Sequence, residues 1–473
     1  MTAANEFRPA RPRVPAPQNG AYVTARARNE ALRMSRERAL RRRAARRRGR
    51  RRLAVIVLSL FAGTFLVLSL VGSSGPGAKG SVSPAQAAPR DADMATLTVR
   101  SSLAASVVIP GKMAPLPFPT TGEAAVVVAG IGLMGATGDE RSVPVASLTK
   151  IMTAYLVLKD HPLAGRGGGP VFVMTAADHA AWIQASEADE SNIEVKAGEH
   201  LDERQLLQAL MIPSADNIAD YLAVWDAGSE KAFVAKMNAT AAALRLPGTH
   251  FADDSGVNPG SRSTAIGMAR LAALAMESPV LRSIVDEQFI VLPISGEIWN
   301  NYDPAVGVDG IIGVKSGYTD AAGTNLVSAA WRDVGGRRVL VVCDVIGQQN
   351  SLSGDAGDNE ALLDAATRDL RLSEVVAGQA VVAEAETGWN HDRSVVRLAA
   401  TASVVGWPGL VLSPVVVPAP PPRSTPAHGW PAGCTIGDLE LQYPYGAGIG
   451  GAVILQSAIR PPPAGWAPAG VLH

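Results

Sequence analysis

Ser147 and Lys150, in "VPVASLTKIMTAYLVL" (143–158), stand one helical turn apart at the start of a segment otherwise built for burial. Residues three apart on a helix share a face, so the amine can reach the hydroxyl proton. It takes that proton only when neutral, and desolvation beside a second cation drives lysine, never arginine, in that direction. The chain prefers arginine: only eight of its 43 basic residues are lysine, and Lys150 alone has a serine three positions before it. A serine at a helix start also has exposed backbone N–H groups and the positive end of the helix dipole beside it, which favour a developing oxyanion. The chemistry indicated is acyl transfer through Ser147 with Lys150 as general base. By itself the pair reads equally well as a capping serine followed by a snorkelling lysine.

Two further stretches bear on that choice. "MIPSADNIADYLA" puts Ser214 after a proline and before a helix, where an ordinary N-cap would also stand. "GVKSGYTDAAGTNL" puts Lys315, Ser316 and Gly317 on one strand edge, offering an amine, a hydroxyl and unobstructed backbone to a groove. S-x-x-K, then S-x-[ND], then K-[ST]-G, in this order, resembles the penicillin-recognising serine enzymes. "ASLTKIMTA", "FADDSGVNPGSRSTA" and "GVKSGYTDAAGTNLV" are similar to the D-alanyl-D-alanine carboxypeptidase branch, the low-molecular-mass penicillin-binding proteins, over residues 120–370.

The resemblance implies a cycle in which Ser147 attacks the carbonyl between two D-alanines, Lys150 acts as base and Ser214 relays the proton to the leaving amine. Lys315 and Ser316 would hold the terminal carboxylate, with Asp216, Asn217, Gly317, Tyr318 and Thr319 completing the substrate site. Backbone N–H groups of Ser147 and Tyr318 would form the oxyanion hole. The implied partners are a peptidoglycan stem peptide ending in D-Ala-D-Ala and, as covalent inhibitors, β-lactam antibiotics. No cofactor is implied, and no CxxC, HExxH or histidine cluster argues for a metal. The second motif departs from the family, which has asparagine where this chain has Asp216, followed by Asn217. Adjacent helical residues point about 100° apart, so only one of them can face Lys150 squarely. An aspartate there stabilises the protonated amine and opposes its role as base. Gly267 stands where the family often has aspartate. Two rivals share the motifs: a serine β-lactamase or esterase, and a non-catalytic peptidoglycan-binding homologue. The class A lactamase type needs a glutamate between the second and third motifs, and none occurs from 231 to 276.

The elements that must position these residues follow from periodicity. "AAVVVAGIGLMGA" (124–136) reads as a strand pair, and helices are expected at 147–159, 203–211 with Asp202 as cap, 215–226, 229–245 and 264–276. After about 280 the pattern returns to strands, and "DNEALLDAATRDL" (357–369) supplies a closing helix. Strands, a helical block and strands again give an α+β fold, an antiparallel sheet with helices packed on it. The resemblance makes it the β-lactamase/DD-peptidase-like transpeptidase fold. We place this catalytic domain at 116–370, a small C-terminal β domain at 371–460 and a disordered tail at 461–473.

Ahead of these lie an Arg-rich segment (1–52), a transmembrane helix (53–72) and a Gly/Ser/Pro-rich linker (73–115). The first holds 17 arginines against three acidic residues, while the rest of the chain carries 26 basic and 40 acidic residues. "LAVIVLSLFAGTFLVLSLVG" has no charge over twenty residues, enough to cross a bilayer at about 1.5 Å per residue. The arginines abut its N-terminal end, so the positive-inside rule puts the N-terminus in the cytoplasm and the catalytic domain outside. We therefore expect one N-terminal membrane helix in the cell membrane and no nucleic-acid partner, with a cleaved signal peptide as the alternative. Cys343 and Cys434 are exported with the body, where a disulfide is permitted, or are two unpaired small hydrophobes.

Overall fold

The computed structural model describes residues 97–137, 140–300, 306–349, 351–419 and 428–464. The N-terminal Arg-rich segment, the apolar run 53–72 and most of the expected tail lie outside the described residues. Five antiparallel strands form the catalytic sheet: β1 (Glu123–Val128), β2 (Gly132–Ala136), β3 (Ile311–Thr319), β4 (Gly323–Val334) and β5 (Arg337–Gln348). Their spatial order is β3-β4-β5-β1-β2. The central strands are covered on both faces, which is why "EAAVVV" and "VLVVCDVI" run apolar without alternation. Ala125, Val127, Val327, Val342 and Ile346 face the helical block, whereas Ala124, Val126, Leu326, Val341 and Cys343 face the opposite layer.

The helices are α1 (Lys150–Asp160), α2 (Ala176–Glu187), α3 (Glu203–Met211), α4 (Asp216–Ala227), α5 (Glu230–Ala243), α6 (Ala265–Ala275), α7 (Pro279–Val285) and α8 (Leu352–Asp369). A 3₁₀ turn, Ala146–Thr149, leads into α1. Helix α1 is buried nearly all round, from Lys150 to Leu158, and packs on α3, α4, α5 and α6. Whatever its N-terminus carries is therefore held by the densest part of the core. Asp202 caps α3 as expected, in a capping box with Gln205. Helix α8 starts at Leu352, ahead of the expected 357, and lies on the face of the sheet that Cys343 shares. Both cysteines are free. Gly267, on α6, has no room for a side chain: a Cβ would sit 2.5 Å from Ser263 Oγ and 2.6 Å from Thr249 Oγ1.

The linker boundary at 115 requires correction. Leu97–Ser101 is a strand pairing with Ala383–Thr387, and Val107–Val108 pairs with Val411–Leu412. Both belong to the β domain, at the two ends of its seven-stranded sheet. The β domain is thus closed by a segment that precedes the catalytic domain in sequence.

Candidate active site

The 3₁₀ turn before α1 places Ser147 half-exposed and Lys150 fully buried, with Lys150 Nζ donating to Ser147 Oγ at 3.0 Å. The same amine donates to Asp216 Oδ1 at 2.5 Å and to the Ser255 carbonyl at 2.8 Å. Three acceptors for three N–H bonds is the complement of an ammonium. The nucleophile sits on strained backbone, because Ala146, immediately before it, has φ +47°.

Ser214 precedes α4 but does not cap it. The N-cap is Ala215, and no side chain satisfies that helix end. Ser214 instead has φ +66°, is buried, and leaves its hydroxyl without a hydrogen-bond partner among the described residues. A strained serine whose buried hydroxyl bonds nothing is poorly explained by capping. It is the arrangement expected of a group kept free for a substrate. Of the two candidates that follow, Asp216 faces Lys150. Asn217 turns away, its amide exchanging hydrogen bonds with the backbone of Ile193 at 3.2 Å in each direction. The backbone N–H of Asp216 is held by the Ser191 carbonyl at 2.7 Å, so the loop 190–196 fixes both residues. This removes Asn217 from the substrate-site residues expected from the sequence.

On the far wall, Lys315 lies on β3 opposite Val327, so it points to the helical face. Its amine donates to the Ser316 carbonyl at 2.9 Å. Complete burial, and then the Lys150 charge, lower its pKa far below the usual lysine value, with Asp216 opposing. Ser316 is buried with a hydroxyl that has no partner among the described residues. Gly317 is required by close approach: a Cβ there would lie 2.9 Å from Ser147 N and 3.1 Å from Val145 O. Strand β3 is thereby seated against the backbone of the nucleophile. The two residues that follow are engaged elsewhere. The Tyr318 side chain is exposed and donates to Asp320 at 3.0 Å, and Thr319 accepts from Ala322 N at the β3–β4 turn. Their side chains are thus hydrogen-bonded within the β3–β4 turn.

Sequence reasoning passed over the loop that supplies the third acceptor. Asp253 accepts from Ser255 Oγ at 3.1 Å, Gly256 N at 3.0 Å and Asn258 N at 2.9 Å, and from Ser261 Oγ. It folds "DSGVN" into the turn that presents the Ser255 carbonyl to Lys150. Gly256 (φ +90°) passes so close to the nucleophile turn that a Cβ would meet Ala146 O at 1.8 Å. The signal was present in "FADDSGVNPG", an aspartate followed by serine, glycine and asparagine, which is turn chemistry. Glu190 was also missed. Burial first, and then Asp216, raise its pKa. Burial and the Asp220 carboxylate push Asp254, whose carbonyl accepts from Thr153 Oγ1, up to about 9.

Comparison with known proteins is consistent with this geometry. Residues 131–347 match the sequence profile described as D-alanyl-D-alanine carboxypeptidase. The chain is 34% identical over 204 residues to D-alanyl-D-alanine carboxypeptidase DacB2 of Mycobacterium tuberculosis, covering 42% of this chain and 65% of that one. It is 32% identical over 210 residues to the D-alanyl-D-alanine carboxypeptidase of Streptomyces sp. strain K15, covering 41% and 69%. It spans about half the length of other curated relatives, the DacD proteins of Salmonella typhimurium and Escherichia coli among them. Among solved structures, penicillin binding protein 5 from Haemophilus influenzae shares the fold, with a TM-score of 0.53 at 17% identity over 73% of this chain and 99% of that one.

The contact between Gly317 and the nucleophile can be tested directly. In Gly317→Ala the new methyl displaces backbone at Ser147. An approximately 1 Å misplacement of reacting groups costs about 10²-fold in rate. We expect labelling of Ser147 by a serine-directed acylating reagent to slow by about that factor, with a loss of about 1–3 kcal/mol of stability from the overpacked contact. An unchanged labelling rate would show that β3 does not position the nucleophile.

Proposed function

Because the chain belongs to the D-alanyl-D-alanine carboxypeptidase family, we propose that it is a membrane-anchored serine hydrolase that removes the terminal D-alanine from peptidoglycan stem peptides through an acyl-enzyme on Ser147. The observation that carries the reading is the 3.0 Å contact between the buried Lys150 amine and the Ser147 hydroxyl, with the buried Lys315 near enough for the Lys150 charge to lower its pKa. Ser147 Oγ attacks the carbonyl between the two D-alanines as its proton passes to Lys150. The oxyanion is received by the backbone N–H groups of Ser147 and Tyr318. The C–N bond then breaks, and the departing amine takes a proton relayed through the Ser214 hydroxyl. Water, deprotonated by Lys150, attacks the ester carbonyl; the bond to Ser147 Oγ breaks, Oγ recovers the proton from Lys150, and the shortened peptide is released. Lys315 and Ser316 hold the carboxylate of the residue being removed, as a substrate ending in a free carboxylate requires.

Anchoring rests on the uncharged run 53–72 and the arginines before it, which place the catalytic domain outside the cell membrane. Among the described residues no helix is long and apolar enough to cross a membrane, so the anchor is a proposal from sequence. One observation favours a second reading, a peptidoglycan-binding homologue that does not turn over. Three acceptors, Asp216 among them at 2.5 Å, engage all the N–H bonds of an ammonium and leave the Lys150 nitrogen no lone pair toward the serine.

A reporter penicillin separates the two. We expect covalent label on the wild-type protein, none on Ser147→Ala, and release of D-alanine from a pentapeptide substrate. Label without release would leave acylation but not hydrolysis, and no label at all would favour the binding protein.

Replacing Asp216 with asparagine keeps the shape and removes the counter-charge. At neutral pH, Asp216→Asn should be acylated by penicillin about tenfold faster, since a charge-assisted hydrogen bond of about 1.5–3 kcal/mol no longer restrains the amine. A slower variant would make Asp216 a participant in the proton transfer rather than a brake on it.

Lys315 sets the pH dependence of binding. Its folded-state pKa is depressed, so above that value the free enzyme holds a neutral amine, while the bound carboxylate calls for an ammonium. Binding then takes up a proton, and affinity falls as pH rises, by up to tenfold per unit. Calorimetry of a carboxylate-terminated peptide in two buffers of different ionisation enthalpy reads the proton count. A count of zero across the alkaline range overturns this assignment.

A further inference from the structure

At the end of the sheet away from Ser147, where the β4–β5 hairpin meets the β1–β2 turn, a cleft of about 400 Å³ is lined by Trp331, Arg282, Arg337, Arg338, Glu277 and Tyr443. Trp331 is on β4, four residues along the strand from Val327, the register partner of Lys315. At about 3.4 Å per residue this sets the cleft roughly 13 Å along the strand from the Lys315 row, outside the reactive groove.

The Trp331 ring is flanked by two guanidinium groups, Arg338 at 4.5 Å from its centroid and Arg282 at 5.8 Å. Their duties differ. Arg282 donates to the Met276 and Glu277 carbonyls and so closes the end of α6. Arg337 and Arg338 are exposed, and among the described residues neither is ion-paired to a carboxylate. Asp333, across the strand pair from Arg338, accepts from Gly336 N in the hairpin turn. A guanidinium stacked on an indole keeps its N–H edge free and its plane fixed, which suits it to fork onto phosphate or carboxylate oxygens. The surrounding chain makes this cluster unusual, since residues 53 onward carry 40 acidic against 26 basic side chains. The position is also held rigidly. The turn Pro444–Gly446 of the β domain reaches the β1–β2 turn, with Tyr445 N donating to Ile131 O at 3.3 Å and Arg270 over the Tyr445 ring at 4.5 Å.

We infer that this cleft is a second binding site, for an oxyanion, phosphate or carboxylate, carried on a sugar or peptide of the wall, held between Arg337 and Arg338 with Trp331 as floor. It would keep the enzyme on the polymer while Ser147 acts on one peptide after another. The wall as source rests on the reading above, whereas the oxyanion chemistry stands on the cleft alone.

The experiment uses the full chain in an uncharged detergent, with Ser147 already acylated by penicillin so that the reactive groove is filled. Inorganic phosphate, a soluble muropeptide and the same muropeptide with its carboxyls amidated are titrated calorimetrically at constant ionic strength. Saturable binding by phosphate alone assigns a phosphate-bearing polymer. Binding by the carboxylated muropeptide but not its amidated form assigns peptidoglycan itself. In either case the affinity should fall at least tenfold in Arg337→Ala/Arg338→Ala, and partly in Arg338→Lys, which keeps the charge but loses the fork. The penicillin labelling rate of these variants should equal that of the wild type, which shows that they fold and keeps this test separate from that of the peptidase reading. Absence of saturable binding by all three titrants, or equal affinity in the double variant, overturns the inference.

Discussion

The buried amine of Lys150 organises the active site, and most of the surrounding geometry follows from the need to satisfy it. A lysine with no solvent exposure and three N–H bonds must find three acceptors or lose several kcal/mol. It finds them on three separate parts of the chain: Ser147 one turn earlier, Asp216 at the start of α4, and the Ser255 carbonyl in the turn that Asp253 folds. Each acceptor needs its own support. The loop 190–196 fixes Asp216 through the Ser191 carbonyl, and the packing of α1 against four other helices holds the amine in place. One amine, through three hydrogen bonds, thus ties together three separate segments of the chain.

Two of the eight non-glycine residues with left-handed φ among the described residues lie where those loops meet. Ala146 and Ser214 both take left-handed φ values without being glycine, and each adjoins or is a residue with a proposed chemical role. Gly256 and Gly317 close in on the same turn from opposite sides, one against Ala146 O and the other against Ser147 N. Strain and close approach of this kind persist only where the surrounding packing over-determines them. The nucleophile is thereby presented on backbone that cannot relax, rather than on a flexible loop.

How much of this was legible depends on how local each determinant is. Ser147 and Lys150 are three residues apart, so helical geometry alone brings them together, and the Lys315–Gly317 edge is set by strand alternation. The capping box at Asp202 is likewise a four-residue signal. The choice between Asp216 and Asn217 was not legible, because it is made by Ser191 and Ile193, about 25 residues earlier in the chain. Helix α2 was missed because it buries only Ala185 and shows almost no apolar stripe. The strand Leu97–Ser101 falls in a segment of linker composition because its partner lies near residue 385, and two half-buried apolar positions, Leu97 and Val99, are too few to mark a strand. The capping explanation for Ser214 is set aside by the geometry, because its hydroxyl has no hydrogen-bond partner among the described residues.

The two amines and one carboxylate of the site also constrain one another. Lys150 lowers Lys315 while Asp216 raises it, so Asp216 acts on both. With asparagine in its place, Lys150 would lose its nearest carboxylate, leaving the more distant Glu190 and Asp220 as the acids that act on it, and the arriving substrate carboxylate would meet less repulsion. With aspartate, Lys150 is already paired before substrate arrives, and the incoming carboxylate meets the acid as well as the amines. Part of its attraction is then cancelled by like-charge repulsion at close range. The same substitution that completes the coordination of a buried ammonium therefore weakens the field that draws substrate in. The site gains a well-satisfied resting state and loses some of its readiness to leave it.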